Sequence, residues 1–365
     1  MAWHTAGPNS TFRFPPLKCA WWTCGPCEEH DVCTERSLAL GTDKSSGLEM
    51  ATGVVAGLRV AILGASVPCF DLADALTADG CKLCAIVPPR GSLGSGVQRR
   101  AAARNLPLLD VGVSINAPTT VAALRELDAD LFVNWGHPER FSSEVLAATR
   151  RGVLNLHPGE VPGARGLEPV FAAMVEGWPA ITQTAHLMTA DFDDGPIIRT
   201  RRIAIDDEPY RDVVEERLRD GAVAFYRDAV HAVLAGEIGT IGTGPRRYFG
   251  RLKPADDVLP WGETGDAILR RLRALSPFKP GRAFVFGESA PLLFWRAEHS
   301  AATVTGAAAG QVVAATSDGL EVASGSGVIR VTQYELPPGF MARHPSSLVG
   351  LQLMAGLPDG DADGW

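Results

Sequence analysis

An α/β fold with a Rossmann-like parallel sheet, followed by a small OB-like C-terminal β-barrel, is what the sequence predicts. Three observations predict it. From Leu58 to about Leu275, apolar stretches of strand length alternate with stretches of helical spacing, the signature of βαβ units. From Ser276 the helical pattern stops, and short β-rich runs separated by Gly, Pro and Ser take over. The chain of 365 residues, 46% hydrophobic and 21% charged, has ample core for two or three domains.

The elements follow in order. LRVAILGAS reads as a buried strand ending at Gly64, DLADALTADG as the next helix and KLCAIVPP as a second strand. A Gly/Ser loop, RGSLGSG, leads into VQRRAAARN, which is helical, as is PTTVAALRELDA. DLFVNWG is a strand, FSSEVLAATRRG a helix capped by Ser142 or Ser143, and VLNLH a further strand. EPVFAAMVEG is helical and ITQTAHLM a strand, while PYRDVVEERLRDGAVAFYRDAVHAVLAGE is one long helix or two. Another helix lies between Trp261 and Leu275. The strands RAFVFG, PLLFWRAE, GQVVAAT, GLEVAS and GVIRVTQYEL complete the pattern. The expected organisation is an extension over 1–57, a catalytic domain over 58–255, a linker helix over 256–275, a barrel-like domain over 276–358 and a tail over 359–365.

The first 57 residues differ in texture, with Trp3, Trp21 and Trp22 and with Cys19, Cys24, Cys27 and Cys33. Four thiolates could hold zinc, but their outer spacing is shorter than in common zinc knuckles. A disordered extension, or translated sequence upstream of a natural start at Met50, is expected instead. Charge and hydropathy exclude other classes. A net charge of −8 gives no general attraction to nucleic acid or an anionic membrane. No apolar run approaches the roughly 20 residues of a membrane span, and the N-terminus lacks the basic start and apolar centre of a signal peptide. Cysteine usage does not resemble a secreted scaffold, so a cytoplasmic protein is expected.

The chemistry concentrates in GVLNLHPGEVPGARG, residues 152–166. On a strand, positions i and i+2 share a face, so Asn155 and His157 point one way and Leu154 and Leu156 the other. Pro158, Gly159, Pro162 and Gly163 then turn the chain. Two polar side chains therefore project together where a strand leaves the sheet, which is where open α/β sheets place ligands. An Asn and His in such a position can also be a pair that merely caps backbone groups. The first turn, GASVPCF, has Gly64 without the other glycines of a dinucleotide fingerprint, so a nicotinamide enzyme is not expected, although Gly64 and Ser66 can line a pocket.

NLHPGEVPGARGLEP, followed by TAHLMTADFDDGPII, resembles the 10-formyltetrahydrofolate-dependent formyltransferases, the group that includes methionyl-tRNA formyltransferase and related N-formyltransferases. The shared elements are Asn155, His157, Pro162, Arg165, Gly166, Thr184, His186, Asp193 and Gly195, and the likeness runs from Leu58 to about Met354, through RYFGRL and SPFKPGRAFVF. The resemblance implies transfer of a formyl group from 10-formyltetrahydrofolate to a primary amine, with Asn155, His157 and Asp193 catalytic and no metal required. A neutral amine attacks the formyl carbon. Asn155 and a charged His157 would donate to the resulting oxyanion, and Asp193 would stabilise His157 and relay a proton. The resemblance also implies a folate site in the WGHPERF loop, at Trp135, Gly136, His137, Pro138, Arg140 and Phe141, with Asp191 and Phe192 as the opposite wall. His186 is expected to be a buried, satisfied histidine.

Gly159 and Glu160 stand where many relatives carry Ser and Leu. Glu160 can face a cationic amine or simply lie exposed. Together with Gly64, Ser66, Arg165 and Gly166 it is expected on the acceptor side. The loop VPPRGSLGSGVQRR is short and only partly basic, and the charges of the C-terminal strands nearly cancel, whereas tRNA binding needs a basic surface. The expected acceptor is therefore a small amine, an amino sugar or a carrier-bound aminoacyl group, with initiator methionyl-tRNA as the alternative. A hydrolase releasing formate from the same donor and a folate-binding protein without turnover are the rival classes. The intact Asn155, His157 and Asp193 argue against the second, and the retained barrel favours a transferase over the first.

Overall fold

The computed structural model describes residues 55–205, 207–286, 288, 290–337, 340 and 345–357. The expectations for the extension up to residue 54, its cysteines and the tail from 359 lie outside them; Val55 and Gly57, at the end of the expected extension, are part of the fold, Val55 in the core and Gly57 N bonded to Gly80 O at 2.8 Å. Strands β1 (Arg59–Leu63), β2 (Lys82–Val87), β3 (Leu131–Asn134) and β4 (Val153–His157) form a parallel sheet, which β6 (Ala180–Leu187) and β7 (Ile197–Ala204) extend antiparallel in the order β2-β1-β3-β4-β6-β7. A two-residue strand, β5 (Arg165–Gly166), lies apart from this sheet.

Both faces of the sheet are covered, as buried parallel strands require. Along β1, Val60 and Ile62 enter one core and Ala61 and Leu63 the other. The first core is closed by helices α1 (Val67–Ala78) and α7 (Ala222–Leu234); α2 (Ser95–Ala103) adds Ala101. The second core is closed by α3 (Pro118–Glu126) and α4 (Ser143–Leu146), and a third joins α5 (Pro169–Val175) and α6 (Arg211–Arg219) to the end of α8 (Gly265–Leu275). The hydroxyl of Tyr226 on α7 lies 2.6 Å from the carbonyl oxygens of Asn134 and Leu154, which ties α7 to β3 and β4.

After α8, the strands β9 (Gly281–Val285), β10 (Leu292–His299), β11 (Val312–Thr316), β12 (Gly319–Ser324), β13 (Gly327–Glu335) and β14 (Leu353–Met354) form an antiparallel sheet in the order β11-β12-β13-β10-β9-β14. Hydrogen bonds from Val312 N to Leu351 O (2.9 Å) and from Leu353 N to Gly310 O (2.8 Å) bring its two ends together, so the sheet curls around Phe294, Leu320, Ile329 and Val331. This is the barrel-like architecture the sequence predicted.

Two local features differ from the expectations, and a third settles an open one. The helix after Phe141 is only Ser143–Leu146, with Ser142 Oγ accepting from Val145 N as the cap. The segment from 209 to 237, read as one long helix or two, is two, because Gly221 adopts φ +66° between α6 and α7. β7 was not read as a strand. It is an edge strand, IIRTRRIA, whose apolar alternation is interrupted by Arg199, Arg201 and Arg202, and charges on an edge discourage further pairing.

Candidate active site

Register builds the site before any loop does. Asn134 on β3 is paired with Asn155 on β4, and Asn155 with His186 on β6, so three polar side chains form one row across three strands. All three are buried, as is His157 at the end of β4. Leu154 and Leu156 fill the first core, so Asn155 and His157 face the other side, as the alternation predicts. Asn134 Nδ2 donates to Asn155 Oδ1 at 2.7 Å, which orients the Asn155 amide with its N–H groups outward. Asn155 Nδ2 then lies 3.2 Å from His186 Nε2 and 3.3 Å from Asp193 Oδ1.

Asp193 arrives from the turn between β6 and β7. Its own φ is +46°, and the turn closes with Leu187 N donating to Pro196 O at 2.9 Å. Gly195 is needed here for space, since a side chain would overlap the Leu187 carbonyl. Asp193 Oδ2 accepts from Gly166 N at 2.9 Å, and Oδ1 lies 3.4 Å from His186 Nε2 and 3.6 Å from His157 Nδ1. Burial pushes the Asp193 carboxyl up, but His157, His186 and the Gly166 N–H outweigh it and hold the group well below the usual carboxylate range. An unmatched buried carboxylate would cost several kcal/mol. The donors around Asp193 remove that cost, so it stays ionised.

Gly166 is held by a strap. β5 pairs with β8 (Tyr248–Phe249), with Arg165 N donating to Arg247 O at 3.0 Å and Leu167 N to Phe249 O at 2.7 Å. Gly166 sits at φ +100°, where a Cβ would meet the Phe249 carbonyl. The preceding turn brings Ala164 O to 2.7 Å from His157 Nε2. A carbonyl can only accept, so Nε2 carries a proton and Nδ1 faces Asp193. Burial keeps His157 below its ordinary pKa against the pull of Asp193.

The WGHPERF loop lies beside this group. Asn134 Oδ1 accepts from His137 N at 3.3 Å, joining loop and strand row. His137 Nδ1 accepts from Glu139 N at 3.3 Å, so a neutral ring carries its proton on Nε2, which is buried and has no hydrogen-bond partner among the described residues. Burial pushes this imidazole down to about 4. Trp135 and Phe141 turn their rings into the two cores, Trp135 against Tyr226 at 5.3 Å, so at these positions only backbone is left to face a ligand. Gly136 has φ +82° and Pro138 is exposed. Arg140 reaches the opposite wall, donating from Nε to Ala190 O at 2.8 Å, lying 3.4 Å from Asp191 and covering the Phe192 ring at 5.6 Å.

Of the residues expected on the acceptor side, Gly166 borders Asp193 directly, while Arg165 reaches the residues on either side of it, Phe192 O at 3.4 Å and Asp194 at 3.7 Å. Arg165, Arg140, Asp191 and Phe192 join Asp194, Arg246 and Tyr248 around an open pocket of about 370 Å³. Gly64 lies against the Trp135 carbonyl with no room for a side chain, and Ser66 Oγ is 3.3 Å from Cys69 Sγ at the start of α1. Glu160 is exposed on the turn that carries Ala164.

Residues 113–230 match the formyl transferase family and residues 251–344 the formyl transferase C-terminal domain. A methionyl-tRNA formyltransferase of Burkholderia multivorans is 30% identical over 298 residues, covering 75% of this chain and 89% of that one. The chain belongs to the formyltransferase family. It is an N-formyltransferase enzyme. Solved structures share its fold: an N-formyltransferase from Helicobacter canadensis, in complex with folinic acid and dTDP-3-aminofucose, aligns with TM-score 0.59 and 10% identity over 76% of this chain and all (100%) of that one. A sugar N-formyltransferase from Shewanella aligns with TM-score 0.52 and 18% identity, covering 66% of this chain and 97% of that one. HypX from Aquifex aeolicus in complex with tetrahydrofolic acid aligns with TM-score 0.53 and 15% identity over 76% of this chain and 44% of that one.

In this formyltransferase the sequence reading missed Asn134, Ala164 and the strap residues Arg246 and Tyr248. Asn134 had a signal, a lone amide at the end of the apolar run DLFVN, one strand from Asn155 in register. Ala164 acts through its carbonyl, which no side-chain pattern reports. His186 is buried, with Nδ1 3.0 Å from Leu187 O, and it also touches Asp193. No described helix is long and apolar enough to cross a membrane.

Proposed function

We propose that this enzyme transfers the formyl group of 10-formyltetrahydrofolate to the primary amine of a small or carrier-bound acceptor, with Asn155, His157 and Asp193 as the reacting group. A bound folate donor supplies the formyl carbon; the chain supplies charge and proton transfer. The two Asn155 Nδ2 contacts are long, at 3.2 and 3.3 Å, and can be exchanged for a shorter bond to the developing oxyanion. His157, neutral at rest, takes a proton from solvent at Nδ1 as the site fills, and the imidazolium so formed against Asp193 adds positive charge beside that oxygen. Asp193, ionised and not fully buried, takes the proton of the attacking amine as the new C–N bond forms, and returns it to the departing folate nitrogen as the old bond breaks.

The folate donor fits the WGHPERF side of the site. The buried His137 Nε2 is a neutral donor awaiting an acceptor, and the backbone of Trp135, Gly136 and Pro138 lies at the same strand exit. Phe141 closes the loop from the core side. Arg140, Asp191 and Phe192 supply a polar and aromatic opposite wall. An acceptor would meet the other side, along Glu160, Arg165 and Gly166, with Gly64 and Ser66 farther off, at the end of β1 beyond the WGHPERF loop.

The pairing of the arginines supports a small acceptor. Arg140 faces Asp191, Arg165 and Arg246 face Asp194, and Arg247 faces Glu176. These guanidiniums already have carboxylate partners, so they do not form an uncompensated phosphate-binding track. The alternative, methionyl-tRNA, is favoured by the names of the relatives in Burkholderia and Xanthomonas. The test offers methionyl-tRNA beside a panel of amino sugars, ornithine-like amines and carrier-bound amino acids with the same donor. Saturable formylation of a small amine, with methionyl-tRNA binding weakly at physiological salt, is the expected result. Efficient formylation of methionyl-tRNA alone overturns the choice of acceptor.

A further inference from the structure

We propose that Gly159 is a positioning residue that fixes which nitrogen of His157 exchanges a proton. The inference rests on the reading of His157 and Asp193 as a reacting pair. Gly159 lies two residues past His157, and it is not among the glycines with positive φ. Its missing side chain therefore serves space rather than backbone conformation. A Cβ at this position would stand 2.6 Å from His157 Nε2 and 2.8 Å from Pro169 Cβ, and closer still to the Ala164 carbonyl oxygen. None of these is the loose end of a flexible side chain. The ring is buried, and Ala164 is held by its own N–H to Glu160 O at 2.6 Å and, one residue on, by Arg165 N to Arg247 O at 3.0 Å.

Because position 159 is empty of side-chain atoms, the Ala164 carbonyl reaches Nε2 at 2.7 Å. The bond is available to both the neutral and the charged ring, so the Nε2 proton is permanent and Nδ1 is the exchanging site. The titratable groups facing the ring are Asp193, whose Oδ1 is 3.6 Å from Nδ1, and His186, whose ring centroid is 6.4 Å away. Asp193 and the Ala164 carbonyl favour the imidazolium, while burial and His186 oppose it. A side chain there would require a different course of the following turn, and with it a different partner for the ring.

The test is nitrogen NMR of the full chain labelled in its histidines, with His157 assigned by difference against His157→Asn. In the unsubstituted protein, Nε2 is expected to stay protonated throughout the titration while Nδ1 changes state. In Gly159→Ala the Nε2 signal should lose its hydrogen-bond shift, and the ring's midpoint should fall by about one unit as a bond favouring the charged form is lost. Turnover should fall about tenfold with KM for the folate donor within about twofold. Gly163→Ala, in the same turn but with its nearest neighbour at 3.7 Å, should leave spectrum and rate unchanged. A permanent proton on Nδ1 in the unsubstituted protein overturns the proposal, even if Gly159→Ala does not fold. So does a folded Gly159→Ala whose His157 titrates as before, because any rate loss would then be a packing effect. If His157→Asn itself keeps full turnover, the reading of the reacting pair fails instead, whatever the tautomer.

Discussion

One carboxylate beside the N-terminal sheet is partnered unlike the buried carboxylates of the C-terminal sheet. Around the C-terminal sheet the buried carboxylates have dedicated cationic partners: Asp257 meets Lys279 at 2.9 Å and Arg282 at 2.5 Å, and Glu321 meets Arg330 at 2.8 Å. Around the N-terminal sheet, Asp193 has no arginine or lysine partner among its recorded contacts. It is met by two imidazoles, a side-chain amide and a backbone N–H. An arginine stays charged at every accessible pH, so a carboxylate paired with it has a fixed state and serves structure. An imidazole can gain or lose its proton near neutrality, so a carboxylate surrounded by imidazoles can take part in proton transfer. The comparison separates a scaffold from a reaction centre in the same chain.

The largest expected effect is on the reaction centre. Asp193→Asn keeps the shape of the side chain but removes the charge that draws a proton to His157, and turnover should fall by on the order of a hundredfold or more. Donor affinity, measured by fluorescence titration, should change little, and an enzyme with near-normal turnover would remove Asp193 from the chemistry. The opposite outcome is expected in the C-terminal sheet. Phe294 is fully buried beside Trp261, so Phe294→Ala should cost about 3–5 kcal/mol of stability in a denaturant titration. Turnover per folded molecule should stay the same; a loss without destabilisation would show that this sheet takes part in catalysis.

The smallest effect concerns pH. Burial lowers His137 from 6.5 to about 4, so the unfolded chain binds a proton that the folded chain refuses. The resulting stability is fully present above pH 6.5 and is lost as pH falls toward about 4. His137→Gln should flatten the fall in melting temperature across that window. An unchanged slope would assign the acid sensitivity elsewhere, for instance to His157, whose depressed pKa acts with the same sign.

Much of this was legible in the sequence where a short-range period carried it. The alternation in VLNLH put Asn155 and His157 on one face, and the Gly-rich turn after it ended the strand. β7 was not legible, because an edge strand with three arginines lacks a clean apolar alternation. The paired arginines around Asp194 were legible as charges but not as pairs, since Arg165 and Arg246 come from segments about eighty residues apart.

By itself the sequence determined the α/β order, the change to short strands at Ser276, and the residue types able to handle an oxyanion and a proton. Each follows from local periodicity and local chemistry, which neighbouring residues carry. Only the tertiary structure decided that Asn134 orients Asn155, that the strap sets the Gly166 N–H on Asp193, and that the Ala164 carbonyl holds His157 Nε2. Those three are matters of strand register and backbone approach between segments distant in sequence, and neither leaves a mark on side-chain pattern.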